Sequence, residues 1–148
     1  MKLRSFHMES STLIACPPER VWAVISAVTR WPDWSHICVR VWGETGNSLP
    51  AKASFGFELR MGALSPSFNV TVVESDPPHR VSWASTKLTV TARRTFEFTP
   101  VPGGTRVTDR KDFSSPVLSI GLWYPRRIVR AMTEKWLRDL KAEAERTP

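Results

Sequence analysis

The chain has 148 residues, the length of one ordinary domain, and 1–148 is read as a single domain able to enclose an apolar core. Hydrophobic residues at 41% and charged residues at 24% exclude wholesale disorder, and no apolar run approaches the ~20 residues of a membrane span. The net charge of +7 is uneven, with 7 basic and 6 acidic groups in residues 1–74 against 14 and 8 in residues 75–148.

The first segment, Ser5 to Ala15, reads as a strand that stops at Pro17-Pro18. Lys2 and Arg4 ahead of Leu13-Ile14-Ala15-Cys16 mimic a lipoprotein cleavage site, but His7, Glu9, Ser10, Ser11 and Thr12 interrupt the apolar stretch that a signal peptide needs. A cytoplasmic location is therefore expected. There Cys16 and Cys38, with neither a CxxC pair nor metal-ligand spacing, read as free thiols. Pro18 suits a first helical turn, and Glu19 suits its positive end. Val21, Ile25 and Val28 then recur at i, i+4 and i+7 beside Trp22. Pro32 pushes Trp31 away from the α region, which predicts that this helix fails near Arg30. Trp31 to Ser35 becomes a tight turn or one short helical turn.

The apolar period then changes from helical to two. Val39 to Trp42 is a short strand, closed by Gly43 and the Gly46-Asn47 turn. Ala53, Phe55, Phe57, Leu59 and Met61 alternate with polar or small partners, the pattern of a half-buried strand. Phe68, Val70 and Val72 continue it up to Asp76-Pro77-Pro78. Val81 and Trp83 mark another strand, Leu88, Val90, Ala92, Phe96 and Phe98 the next, and Thr105 to Phe113 returns after a turn at Pro100 to Gly104. Links this short favour antiparallel neighbours.

The last third is helical: Ile128, Met132, Trp136 and Leu140 repeat at i+4, flanked by Val129 and Leu137. The helix begins either at Pro116, capped by Ser115 and kinked at Pro125, or afresh at Pro125. A sheet of this size cannot face water on both sides, and this helix is its natural cover. The expected fold is α+β of the helix-grip type, a curved antiparallel sheet of about seven strands around a long C-terminal helix, with two short N-terminal helices.

Five phrases in this order carry a resemblance: Pro17-Pro18-Glu19-Arg20-Val21-Trp22, Trp31-Pro32-Asp33-Trp34, Asp76-Pro77-Pro78-His79-Arg80-Val81-Ser82-Trp83, Gly103-Gly104-Thr105-Arg106-Val107 and Leu137-Arg138-Asp139-Leu140-Lys141. Together they resemble the SRPBCC, or START-like, superfamily, which includes polyketide cyclase/dehydratase relatives and plant pollen-allergen proteins. The resemblance implies a pocket between sheet and C-terminal helix, used for lipids, polyketides, sterols or other apolar molecules. It does not choose the ligand, because one fold serves many activities.

Chemistry-bearing motifs are few. His7, His36 and His79 stand apart on different elements, Gly103-Gly104 belongs to a hairpin and not to a phosphate loop, and GxSxG is missing. No metal and no cofactor are expected. One polar feature stands out: Arg94 shares the apolar phase of its strand, and Asp109 and Lys111 share theirs with Val107 and Phe113. A four-residue turn, Pro100 to Gly103, sets Arg94 opposite Asp109 and Ala92 opposite Lys111. The alternative register sets Arg94 against Lys111, which is repulsive, so the first is expected. The result is an inward Arg94–Asp109 pair, able to orient a carbonyl or carboxylate or to serve as acid and base. A β-bulge or a rim salt bridge is the bland counterpart.

Residues expected to line the pocket are Phe55, Phe57, Leu59, Phe68, Val70, Trp83, Arg94, Phe96, Asp109, Lys111, Trp123, Ile128, Met132 and Trp136, although ordinary core packing would use the same aromatics. Trp123-Tyr124-Pro125-Arg126-Arg127 with Arg130 can meet anionic lipid headgroups, or can be a plain solvated helix face. No recognition motif accompanies the basic charge, so no nucleic-acid partner is expected. The sequence leaves the oligomeric state open. The leading reading is a binder or carrier of a small hydrophobic molecule, the alternative a polyketide cyclase/dehydratase-like enzyme. A protein-interaction module is the third class.

Overall fold

Alternation of apolar and polar side chains is realised as seven strands: β1 (Ser5–Ile14), β2 (Cys38–Trp42), β3 (Ser54–Leu59), β4 (Ser67–Asp76), β5 (Arg80–Lys87), β6 (Val90–Val101) and β7 (Gly104–Ser114). They appear in a computed structural model that describes residues 5–43, 48–117 and 125–146. All pair antiparallel in one sheet of order β1-β7-β6-β5-β4-β3-β2, so the first strand lies beside the last. The sheet curls around a long helix, α3 (Arg126–Arg146), with α1 (Pro18–Ser26) and the single turn α2 (Trp31–Trp34) packed at α3 as well. This is the expected helix-grip arrangement.

Pro18 starts α1 as its first-turn proline, and Val21, Val24 and Ile25 form its buried face. The helix ends earlier than Arg30 and for another reason: Ala27 leaves the helical region at φ −80°, ψ 66°. Trp31 itself is α-helical at φ −51°, ψ −43°, despite the proline that follows it. Burial decides this. The indole of Trp31 is enclosed by Phe55, Phe57, Trp83 and Trp136, and its Nε1–H donates to the Ile25 carbonyl at 3.0 Å. The steric bias of a pre-proline residue is small beside that packing.

The β6–β7 register differs from the expected one. The turn holds only Pro102 and Gly103, with Gly103 at φ +85°, so Val101 pairs with Gly104 and Arg94 sits opposite Lys111. Proline fixes a negative φ at the first turn position and Gly103 supplies the positive φ of the second, the pattern of a type II turn, and the ladder gains Pro100 and Val101. Leu88 is likewise not a strand residue; with Thr89 it makes the β5–β6 turn, at φ 51° and 69°. Gly56 is required by a close approach: a Cβ there would stand 2.2 Å from the Trp42 Nε1, which donates to Asn69.

Helix α3 begins at Arg126, which corresponds to the start at Pro125. Its buried residues are Val129, Thr133, Trp136, Leu137, Asp139, Leu140 and Ala144, which keep Trp136 and Leu140 of the expected stripe and its flanking Val129 and Leu137, while Ile128 is 50% exposed. Thr133 is polar, yet its hydroxyl donates to the Val129 carbonyl at 2.9 Å and so can be buried. Toward the helix C-terminus, Lys141 donates to the Leu13 carbonyl and Glu145 accepts from the Ala15 amide, tying α3 to the end of β1.

Candidate functional site

On the concave face, β6 turns Ala92, Arg94, Phe96 and Phe98 inward, and β7 turns Phe113, Lys111, Asp109 and Val107 toward the same space. A cavity of about 200 Å³ lies between this face and α3. Its wall is apolar: Phe57, Leu59, Phe68, Val70 and Trp83 from the sheet, Val129 and Met132 from the helix. Leu59, Arg94, Lys111, Val129 and Met132 also border a second, smaller chamber of about 40 Å³, reached by Thr133 and Trp136 as well. The hydrophobic space thus ends in a polar corner.

The corner is an ion cluster. Arg94 grips Asp109 with two bonds, Nε to Oδ1 at 3.1 Å and Nη2 to Oδ2 at 2.7 Å. Arg94 faces Lys111 directly in the ladder, and Asp109 is the diagonal neighbour, opposite Phe96. The long guanidinium reaches across that diagonal, and the carboxylate lies between the two cations and relieves their repulsion. Lys111 Nζ lies 3.4 Å from both Asp109 oxygens and donates to Thr133 Oγ1 at 2.5 Å. Arg94 also covers the rings of Phe96 and Trp136 at 4.6 and 5.1 Å.

Burial alone would raise the Asp109 carboxyl, but the charges of Arg94 and Lys111 and their hydrogen bonds outweigh it and hold it below the ordinary aspartate value. Burial, followed by the Arg94 charge, pushes the Lys111 ammonium down to about 8 against the pull of Asp109. Both thiols are raised by burial, Cys38 to about 11, and so stay neutral.

Of the residues expected at the pocket, Phe57, Leu59, Phe68, Val70, Trp83, Arg94, Lys111 and Met132 line the main cavity, and Trp136 lines the smaller chamber. Phe55 and Phe96 lie instead in the packed core against Trp31 and Trp83. Asp109 lies beneath the wall with its side chain fully covered, and Ile128 points outward. Trp123 is outside the described residues. Met61, Pro66, Ser85, Ala92, Phe113, Val129 and Thr133 join the lining unannounced. Phe113 and Ala92 were readable from strand alternation and Val129 from its place beside the helix stripe; Thr133, being polar, was not.

His36 was not credited with a partner. Its Nδ1 meets Asp139 Oδ1 at 3.0 Å and its backbone N–H donates to Oδ2 at 2.8 Å, but the ring is 73% exposed and borders neither chamber. His7 and His79 are exposed. Among the described residues no cluster of metal-ligating side chains occurs, and no helix is long and apolar enough to cross a membrane.

A family model described as polyketide cyclase / dehydrase and lipid transport matches residues 5–145. The chain belongs to this family. Solved structures share the helix-grip fold with it. The aromatase/cyclase Zhui from Streptomyces sp. R1128 is 19% identical, with a TM-score of 0.74 over 96% of this chain and 94% of that one. The di-domain aromatase/cyclase StfQ of the steffimycin biosynthetic pathway is 17% identical, with a TM-score of 0.81 over 98% of this chain. The chain spans about half, 52%, of that di-domain protein. Major latex-like protein 151 from Panax ginseng is 10% identical, with a TM-score of 0.78 over 97% of this chain and 99% of that one. No curated protein is detectably similar in sequence.

Proposed function

We propose that this chain works as one domain that binds a small hydrophobic molecule in the cavity between sheet and α3, as a carrier or receptor. The observation that supports this most is the cavity itself. About 200 Å³ of space bounded by aromatic and aliphatic side chains persists beside a tightly packed core. Interiors ordinarily leave few voids larger than water, and an engineered cavity of roughly 150 Å³ already takes up benzene. A ligand of one or two fused rings matches the size. The family's association with polyketide chemistry and lipid transport agrees with that chemistry.

The test is direct. Native mass spectrometry of protein purified from its own cells, followed by organic extraction, is expected to release a stoichiometric apolar compound. An Ala92→Phe variant, which fills the cavity from β6, is expected to fold and to carry none. A protein that is empty from its own cells, and that binds no planar aromatic probe, overturns the reading.

The Lys111 amine, titrating near 8 at the end of an apolar cavity, favours a second reading, a cyclase/dehydratase-like enzyme using Lys111 to give and take a proton. Turnover of a poly-β-ketone mimic that is lost in Lys111→Met would establish it. Leu64 in the β3–β4 loop, Leu88 in the β5–β6 turn, Val117 beyond β7 and Ile128 in the first turns of α3 are exposed, the last beside the exposed Arg126, Arg127 and Arg130. They support weak contact with anionic membrane from a cytoplasmic location. Salt-sensitive sedimentation with anionic but not neutral vesicles is the expected result.

A further inference from the structure

The charges in the polar corner do not balance. Arg94 and Lys111 bring two positive charges and Asp109 one negative charge, all on side chains at most 15% exposed. Arg93, which also borders the cavity, is matched by Glu74 on the outer face at 3.2 Å. An excess buried charge is costly unless something of opposite sign meets it.

The hydrogen bonds are unbalanced in the same sense. The Asp109 carboxylate is taken up by Arg94 on both oxygens. Thr133 donates its one hydroxyl proton to the Val129 carbonyl and can only accept from Lys111. An ammonium has three N–H groups. One is shared over the two Asp109 oxygens at 3.4 Å, one goes to Thr133, and a third remains. Trp136, which also lines the smaller chamber and is 2% exposed, carries an indole Nε1–H that is buried without a hydrogen-bond partner. Buried indole N–H groups normally find an acceptor. The corner therefore offers spare donors and spare positive charge, and lacks an acceptor and a negative one.

The geometry points to a monoanionic ligand, a flat apolar body in the larger cavity whose carboxylate, enolate or phenolate oxygen enters the smaller chamber between Lys111, Arg94 and the Trp136 indole. This rests on the binding reading above and names the class of ligand. A chamber of about 40 Å³ has room for such a head group, since roughly 10–15 Å³ already admits a water. One negative charge brings the cluster to neutrality. A phosphate, with two charges and four oxygens, would over-fill it.

Proton linkage follows from the same arrangement. Facing Lys111 are Arg94 from β6, Asp109 from its own strand and the Thr133 hydroxyl from α3, while its β1 partner is the apolar Met8. Cys38, beside Arg94, is a neutral thiol. The ammonium of the empty protein titrates near 8, so an anion bound at higher pH must draw a proton back onto it.

The experiment compares 2-naphthoate with 2-naphthamide, which has the same shape but no charge, by isothermal titration calorimetry. The acid is expected to bind about tenfold or more tightly at about pH 7. Its affinity should fall about tenfold between about pH 7 and about pH 9, while that of the amide stays level. At about pH 8, titrations in buffers of different ionisation enthalpy should show about half a proton taken up per acid bound. Lys111→Met should erase the preference and the proton uptake yet keep the amide. Lys111→Arg should keep the preference and lose the pH dependence. Equal binding of acid and amide overturns the anionic class and leaves the cavity a binding site. Binding of neither overturns both.

Discussion

The space under the sheet has two ends that the same fold treats oppositely. Around Trp31, indole and phenyl rings close on one another: Phe55, Phe57, Trp83 and Trp136 all lie with centroids within 6 Å of it. The buried residues of α1 and the later turns of α3 complete that end. Around Lys111, the first turns of α3 offer Val129, Met132 and Thr133, and the sheet opposite them leaves a cavity. One end commits apolar surface to stability, and the other holds it in reserve for a ligand. Removing side chains from the two ends should separate stability from binding.

The sharpest contrast is Trp31→Ala against Phe68→Ala. Trp31 is fully packed, and its loss should cost about 3–5 kcal/mol in chemical denaturation. Phe68 is half-buried at the cavity wall, so its loss should cost under about 2 kcal/mol while weakening a planar aromatic probe severely. Equal destabilisation by the two would break the division between ends.

Asp109 lies on the boundary and should behave as a structural residue. Asp109→Ala leaves Arg94 and Lys111 facing each other with no carboxylate between them. About 3–5 kcal/mol of destabilisation is expected. The pH dependence has a definite sign. The folded carboxyl is held below its ordinary 3.8, so its contribution is complete above that value and is lost as acid titrates the folded form at lower pH. The stability of the native protein should fall below about pH 4 more steeply than that of Asp109→Asn.

Lys111 should show the same sign in an alkaline window, but as a destabilising charge. Its folded value near 8 lies below the 10.5 of a free lysine, so between these pH values the unfolded chain binds more protons and stability rises with pH. Lys111→Met removes the excess charge. The empty protein should gain about 1–2 kcal/mol near neutral pH and lose the rising limb. A less stable variant with an unchanged slope would show that the lysine serves the fold and not the site.

Much of this was legible before any coordinates. Alternation through Phe55 and Phe57, the proline starts and the order of elements define the helix grip, because each is a local signal repeated over several residues. The inward placement of Arg94, Asp109 and Lys111 was readable for the same reason, since strand phase survives a shift of register by two. The register itself was not readable. It turned on whether Pro100 and Val101 leave the ladder, and the charge argument picked the wrong pairing because it weighed directly opposed residues without the diagonal bond to Asp109. The helix face was misread at Ile128, and the Trp136 donor could not be seen to lack an acceptor, since that depends on every neighbour at once.

The smallest expected effect tests why the open end carries an exposed leucine. Leu88 and Thr89 are both at positive φ in a two-residue hairpin turn, where Asn-Gly is the favoured pair. Left-handed backbone costs an ordinary side chain about 1–2 kcal/mol, and Leu88, 83% exposed, recovers little of it by packing. Thr89 is anchored by its hydroxyl to Ser115 at 3.1 Å, so Leu88 is the residue to change. Leu88→Asn should raise stability by about 0.5–1 kcal/mol, because asparagine tolerates this backbone and no core contact is lost. If the leucine is kept for contact with a lipid surface, the same variant should sediment less with anionic vesicles. A stabilised variant that still sediments like the native protein would place the membrane contact elsewhere, at Ile128 and the arginines of the first turns of α3.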